Sequence, residues 1–154
     1  NVTLRSPQPV RPYRLPRFLA RVISRHRAPA QRRGTMHALI IEDESLIAMS
    51  IEQILIDCGF TSFDVASSCE EAVRAAEVRC PDLITADGQL CPGSGIDAVD
   101  AICSSIPVPV IFITATPTEV ERRMPHHPLI VKPFTSEAVI SAVNLAMTNA
   151  RKYE

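Results

Sequence analysis

From His37 onward, short apolar runs alternate with stretches of helical period, and few folds accept that order. "HALII" (37–41), "SFDVA" (62–66), "DLITA" (82–86), "VPVIFIT" (108–114) and "LIV" (129–131) read as strands. After the first, Ile47, Ile51, Ile54, Leu55 and Cys58 recur on one face of a helix over Ser45–Cys58. Gly59 follows where a left-handed C-cap belongs. Ser68 and Glu71 make a capping box opening a second helix that runs to about Arg79. A loop with Pro92, Gly93 and Gly95 leads to a third helix near Ile96–Ser104. Thr135 caps a last helix, in which Val139, Val143, Ala146, Met147 and Ala150 repeat the spacing of the first.

The fourth connection breaks the pattern. In "ATPTEVERRMPHHP", Pro117, Pro125 and Pro128 leave room for little more than two turns, so the fourth helix is expected to be short or irregular. Strands alternating with helices imply a parallel sheet covered on both faces. Right-handed crossovers make it doubly wound. The expected fold is α/β, a doubly wound five-stranded parallel sheet, and ligands of such sheets bind beyond the carboxyl ends of the strands.

Charge divides the chain. Residues 1–35 hold nine Arg, five Pro and no acid, whereas 36–154 hold seven basic residues against seventeen acids, a formal charge of −10. Disorder is expected over the 1–35 lead, which cannot bury much apolar surface, and one folded domain over 36–154. Within the lead, "PRFLARVISRHR" has the make-up of a short basic amphipathic helix for a membrane, a nucleic acid or an import receptor. The plainer reading is a solvated extension upstream of a start at Met36. No stretch is long and apolar enough to span a bilayer, and the acidic body argues against nucleic-acid binding. Five Cys without a close pair or a secretion signal point to reduced thiols and a cytoplasmic protein.

The first strand delivers three acids in a row, Glu42, Asp43 and Glu44, and their mutual repulsion has to be offset by hydration or by a bound cation. The third strand ends at Asp87, the fourth at Thr114, and the fifth at Lys132 followed by Pro133. Taken singly, these are a solvated acid, a strand-ending Thr and a surface Lys. Gathered at one end of one sheet they are carboxylates, a hydroxyl and an ammonium, a set that suits a hard cation such as Mg²⁺ and a phosphoryl group. A carboxylate in such a set can act as nucleophile and form an acyl phosphate.

"ED" after strand one, Asp after strand three, Thr-Ala after strand four and "KPF" after strand five resemble the receiver domain of two-component response regulators, the flavodoxin-like, CheY-like fold. The resemblance covers about residues 37–150. It implies that Asp87 accepts a phosphoryl group from a sensor histidine kinase or a histidine phosphotransfer protein. It implies Mg²⁺ on Asp43 and Asp87, with the Gln89 backbone carbonyl completing the protein's share and Glu42 acting through water. Thr114 takes the place of the switch hydroxyl, and Lys132, joined to Pro133 by a cis peptide, that of the lysine paired with the phosphoryl group. Ala115 is small enough to let a donor approach. The strings "DGQL…GSGIDAV" and "PVIFITA" are similar to receivers of alphaproteobacterial general stress signalling, small stand-alone ones included.

Two departures stand out: Leu129 occupies the position where the family usually has Tyr or Phe, and the fourth helix is broken by Pro. A phosphatase with an Asp nucleophile would want a second acid two residues on, and position 89 is Gln, which leaves no general acid. A pseudo-receiver, binding its partner without phosphorylation, typically lacks one of the acid–Asp–Thr–Lys set, and only Leu129 speaks for it. The sequence closes a few residues past its last helix. Signalling is therefore expected to run through contact with a downstream protein, or through draining phosphoryl groups from the kinase pathway. Thr116 and Gln89, which leave room for an attacking water, favour the drain.

Overall fold

The protein is described by a computed structural model that covers residues 34–150. Apart from Gly34 and Thr35, the lead lies outside the described residues, as does the segment 151–154. The order is β1 (Met36–Ile41), α1 (Ser45–Asp57), β2 (Phe60–Ala66), α2 (Cys69–Val78), β3 (Leu83–Ala86), α3 (Gly95–Cys103), β4 (Val110–Thr114), α4 (Pro117–Arg123), β5 (Leu129–Val131) and α5 (Ser136–Ala150). All neighbouring strands are parallel and lie in the order β2-β1-β3-β4-β5. The first strand thus lies mid-sheet, and from it the chain steps out to β2 and returns past β1 to β3. That reversal leaves a crevice at the carboxyl ends of β1 and β3.

Strand alternation sorts the core into two layers. Leu39, Ile41, Ile84, Ala86, Val110 and Phe112 meet Ala72 and Ala76 of α2, Ile96, Val99 and Ile102 of α3, and Val120 of α4. Ala38, Ile40, Leu83, Ile111 and Ile113 meet Ile51, Ile54 and Leu55 of α1 and Val139, Val143 and Ala146 of α5. Each large aliphatic buried this way contributes about 1.5–3 kcal/mol, far more than any cap. Helix α1 shows the consequence. Its N-cap, Glu44, makes no side-chain cap bond, so the apolar face that the spacing picks out carries the helix. Gly59 takes φ +96° just past its end, as a left-handed cap requires.

Caps matter more at α2, where the Ser68 hydroxyl accepts from the Glu71 N–H at 3.3 Å. The Glu71 carboxylate reaches one residue further back than a capping box prescribes, accepting from the Ser67 N–H and hydroxyl, both at 2.8 Å. These bonds hold its carboxyl below the usual range. Helix α4 is the short element that the prolines dictate, seven residues with Pro117 in its first turn and Val120 as its one buried residue.

After α4, His127 sits edge-on against buried Phe112, ring centroids 6.0 Å apart and inclined at 71°. Burial first, and then neighbouring His126, push its imidazole below 6.5. Folding therefore favours the neutral ring. Its contribution to stability is present above pH 6.5 and is lost as pH falls through the lower folded value. His127→Phe keeps a ring against Phe112 and removes the proton. In denaturant titrations, wild type should lose stability relative to the variant as pH drops below 6.5, whereas parallel curves would exclude the effect.

Candidate functional site

Register brings the polar residues to one level. Ile41 pairs with Ala86, so Glu42 and Asp87 leave adjacent strands side by side. Thr114 pairs with Val131, and the Lys132 N–H donates to the Thr114 carbonyl at 2.9 Å. The Asp87 N–H donates to the Ile41 carbonyl, also at 2.9 Å, which fixes the start of its loop. At the other side of that loop, a Cβ on Gly95 would lie 1.8 Å from the Asp87 carbonyl oxygen. Only glycine lets the first residue of α3 approach the Asp87 backbone so closely.

Of the three consecutive acids, Glu42 is buried, Asp43 half-buried and Glu44 exposed. Part of the offset to their repulsion comes from within the chain. The Lys132 ammonium stands 2.8 Å from Glu42 Oε2, 2.7 Å from Asp87 Oδ2 and 3.8 Å from Glu44 Oε1. Burial raises the Glu42 carboxyl above its usual range even though bonds from Lys132 and the Glu44 N–H act to lower it. Burial also works against the charged Lys132, but its bonds to Asp87 and Glu42 outweigh that and raise the ammonium above 10.5. Two buried carboxylates and one ammonium form a group that can give up the ammonium only to another cation.

The remaining oxygens have fixed neighbours. Asp43 Oδ2 accepts from the Cys91 N–H at 3.0 Å, and Asp87 Oδ1 accepts from the Gln89 N–H at 3.1 Å. One carboxylate oxygen each from Glu42, Asp43 and Asp87 lie within 4.8 Å of one another. Carboxylates accept several bonds each, so the cluster keeps lone pairs for a divalent ion, and hard oxygen donors at this spacing fit Mg²⁺. Thr114 is buried, and its hydroxyl is engaged by its own loop. Oγ1 accepts from the Thr116 N–H at 3.2 Å and lies 3.4 Å from Thr116 Oγ1.

The structure therefore joins Glu42, Asp87 and Lys132 in one bonded group, sets Asp43 beside it, and keeps Thr114 and Gln89 at its edge. Lys132–Pro133 is cis, and so is Cys91–Pro92, which no residue pattern had singled out. Leu129 is half-buried against the α2/α3 core layer, paired with Phe112. Sequence reasoning missed the Cys91 amide on Asp43 and the contact of Gly95 with Asp87; the run "CPGSG" was the only trace of either.

Residues 38–144 match the response regulator receiver domain family. The chain is 45% identical over 124 residues to the phyllosphere-induced regulator PhyR of Methylorubrum extorquens, covering 75% of this chain and 46% of that protein. A solution structure of the Erythrobacter litoralis PhyR receiver domain superposes with a TM-score of 0.69 at 38% identity, covering 75% of this chain and 92% of that one. A PhyR structure described as that of a stress response regulator gives 0.64 at 40% identity, covering 77% and 47%. The chain thus spans about half the length of the full-length relatives. Among the described residues, no helix is long and apolar enough to cross a membrane. The family match and the five-stranded parallel sheet fall in the same stretch, and the chain belongs to the response regulator receiver family of two-component signalling.

Proposed function

We propose that Asp87 accepts a phosphoryl group from a sensor histidine kinase or a histidine phosphotransfer protein, and that Mg²⁺ takes part. The observation that carries this reading is the 2.7 Å contact of Lys132 with Asp87 inside a cluster of three carboxylates. A carboxylate oxygen of Asp87 attacks phosphorus, the bond from phosphorus to the donor nitrogen breaks, and its electron pair leaves with the donor imidazole. Lys132 neutralises phosphoryl oxygens as they arrive, and the Thr114 hydroxyl exchanges its bond from Thr116 for one to the phosphoryl group. Exposed Ala115 offers no bulk against an approaching donor. Asp43, Asp87 and the Gln89 carbonyl would hold Mg²⁺, with Glu42 acting through water, and the ion would supply further neutralisation of transferred charge.

Asp43→Asn tests the cation's part. It should leave Asp87 in place, weaken Mg²⁺ dependence of labelling by at least about tenfold, and slow transfer at fixed Mg²⁺. Labelling with an unchanged Mg²⁺ dependence would remove Asp43 from the site. Phosphorylated Asp87 can serve as a signal read by a downstream protein or as a drain on the kinase. Exposed Gln89 and Thr116 leave space for an attacking water beside it, which favours the drain. A reconstituted kinase with this protein and a competing receiver separates the two uses. A drain loses its label quickly and depletes the competitor's label, whereas a label that persists for hours with the competitor untouched marks a messenger.

A further inference from the structure

The two edges of this sheet are unequal. In the order β2-β1-β3-β4-β5 the outer strands are β5, three residues long, and β2, seven. The Glu42 N–H donates to the Ala66 carbonyl at 2.9 Å, so Ala66 turns its peptide groups toward β1. Alternation gives Asp64 the same direction and turns the N–H and C=O of Phe63 and Val65 outward. Among the described residues no strand pairs with that side of β2.

Proteins blunt a free edge with Lys, Pro, a bulge or an inward charge. Strand β2 carries neither Lys nor Pro, and the register shift in its pairing with β1 lies at its first residues. Val65 is 52% exposed and Val78, at the end of α2, 83%. Both line a groove of about 270 Å³ along the strand, with Asp64, Glu71, Arg74 and Ala75. The one charge in β2 is half-exposed Asp64, whose Oδ2 lies 3.1 Å from Nε2 of buried His37. Two residues before it, the Ser62 hydroxyl accepts from Nη1 of exposed Arg79 at 2.6 Å. The edge thus presents an anion and a cation two positions apart.

A second copy of this chain fits that pattern. Under a two-fold axis two identical edges meet antiparallel. Setting Phe63 opposite the second copy's Val65 would put Asp64 against Asp64, a repulsion. Setting Phe63 opposite Phe63 pairs two aromatic rings and puts Asp64 opposite the second copy's Ser62. Asp64 then stands next to the Arg79 that this Ser62 holds, and the axis forms the same ion pair twice. Val65 lies opposite Thr61. We propose that β2 is a self-association edge, at which two copies join antiparallel, Phe63 against Phe63, and continue one sheet across the axis. Asp64 of each copy and Arg79 of the other set the register.

Sedimentation equilibrium of the full chain should show monomer and dimer exchanging in the micromolar range. As dimer fills, exchange of the Phe63 and Val65 amides should slow by at least about tenfold. Asp64→Arg and Arg79→Asp each set like charges across the axis, and each should raise the dimer Kd by at least about tenfold. An equimolar mixture of the two variants should dimerise again, because each copy supplies the charge that the other needs. Val65→Pro removes an N–H that points away from β1, so it should lose the dimer and keep the far-UV spectrum of wild type. Native spectra are checked for every variant, and either route, charge swap or Pro, decides alone where the other fails to fold. A dimer whose Phe63 and Val65 amides exchange as fast as in the monomer, or a mixture no tighter than its parents, would overturn the proposal. So would a chain that stays monomeric throughout, which leaves the edge to an extended segment of another protein.

Discussion

Asp87→Asn should remove labelling by acetyl phosphate and Mg²⁺ altogether while leaving the fold in place. The amide is nearly isosteric with the carboxylate, so it keeps an oxygen for the Gln89 N–H or for Lys132, which bond the two carboxylate oxygens at 3.1 and 2.7 Å. What it loses is the nucleophile, because an amide oxygen does not form a stable acyl phosphate. The other carboxylates do not substitute. Glu42 is buried and already holds Lys132, and Asp43 is tied to the Cys91 N–H. The Thr114 hydroxyl is enclosed and engaged with Thr116. Label that persists on the variant at the wild-type rate would overturn the assignment of Asp87. Wild type that takes no label under any donor would favour a pseudo-receiver, the reading for which Leu129 speaks. Continuous turnover of a phosphate ester would favour a phosphatase, the reading against which Gln89 speaks, since it stands where such an enzyme needs its general acid.

Much of this site could be read from order alone, because a parallel sheet converts sequence order into place. Once β1, β3, β4 and β5 are recognised as parallel neighbours, the residues that follow them must share an edge, whatever their separation along the chain. Glu42 and Lys132 are 90 residues apart and still meet at 2.8 Å. The helices were legible where period and caps agreed, at the Ile51–Leu55 face of α1 and at Ser68 of α2. The prolines around α4 limited it to the two turns it has. Contacts between loops were not legible. Nothing local to "DGQL" says that Gly88 lies under Val120, thirty-two positions on, since the periodicity of a seven-residue helix marks no face. Nor does strand period show that Lys132 holds two carboxylates at once. Alternation gives the level at which a side chain leaves the sheet and says nothing about how far a long, flexible one reaches.

That double contact makes Lys132→Met the second large effect. Side-chain exposures of 11% for Lys132, 1% for Glu42 and 10% for Asp87 leave little solvent to screen the acids once the ammonium is gone. Removing one partner of a buried ion pair costs about 3–5 kcal/mol, because the other is left uncompensated. Unfolding in denaturant at neutral pH should show a loss in that range. The dependence on pH gives the loss its signature. The folded Glu42 carboxyl is already raised by burial, and its bond from Lys132 acts to lower it, so the variant should raise it further. A carboxyl raised in the folded state contributes stability that is present at low pH and lost as pH rises through the folded value. The gap between variant and wild type should therefore close in acid and widen toward neutrality. A divalent cation held by Asp43 and Asp87, with Glu42 reached through water, would take over the neutralisation, so millimolar Mg²⁺ should stabilise the variant more than wild type. A variant as stable as wild type at pH 7, or a gap indifferent to both pH and Mg²⁺, would mean that Lys132 does not neutralise the pair.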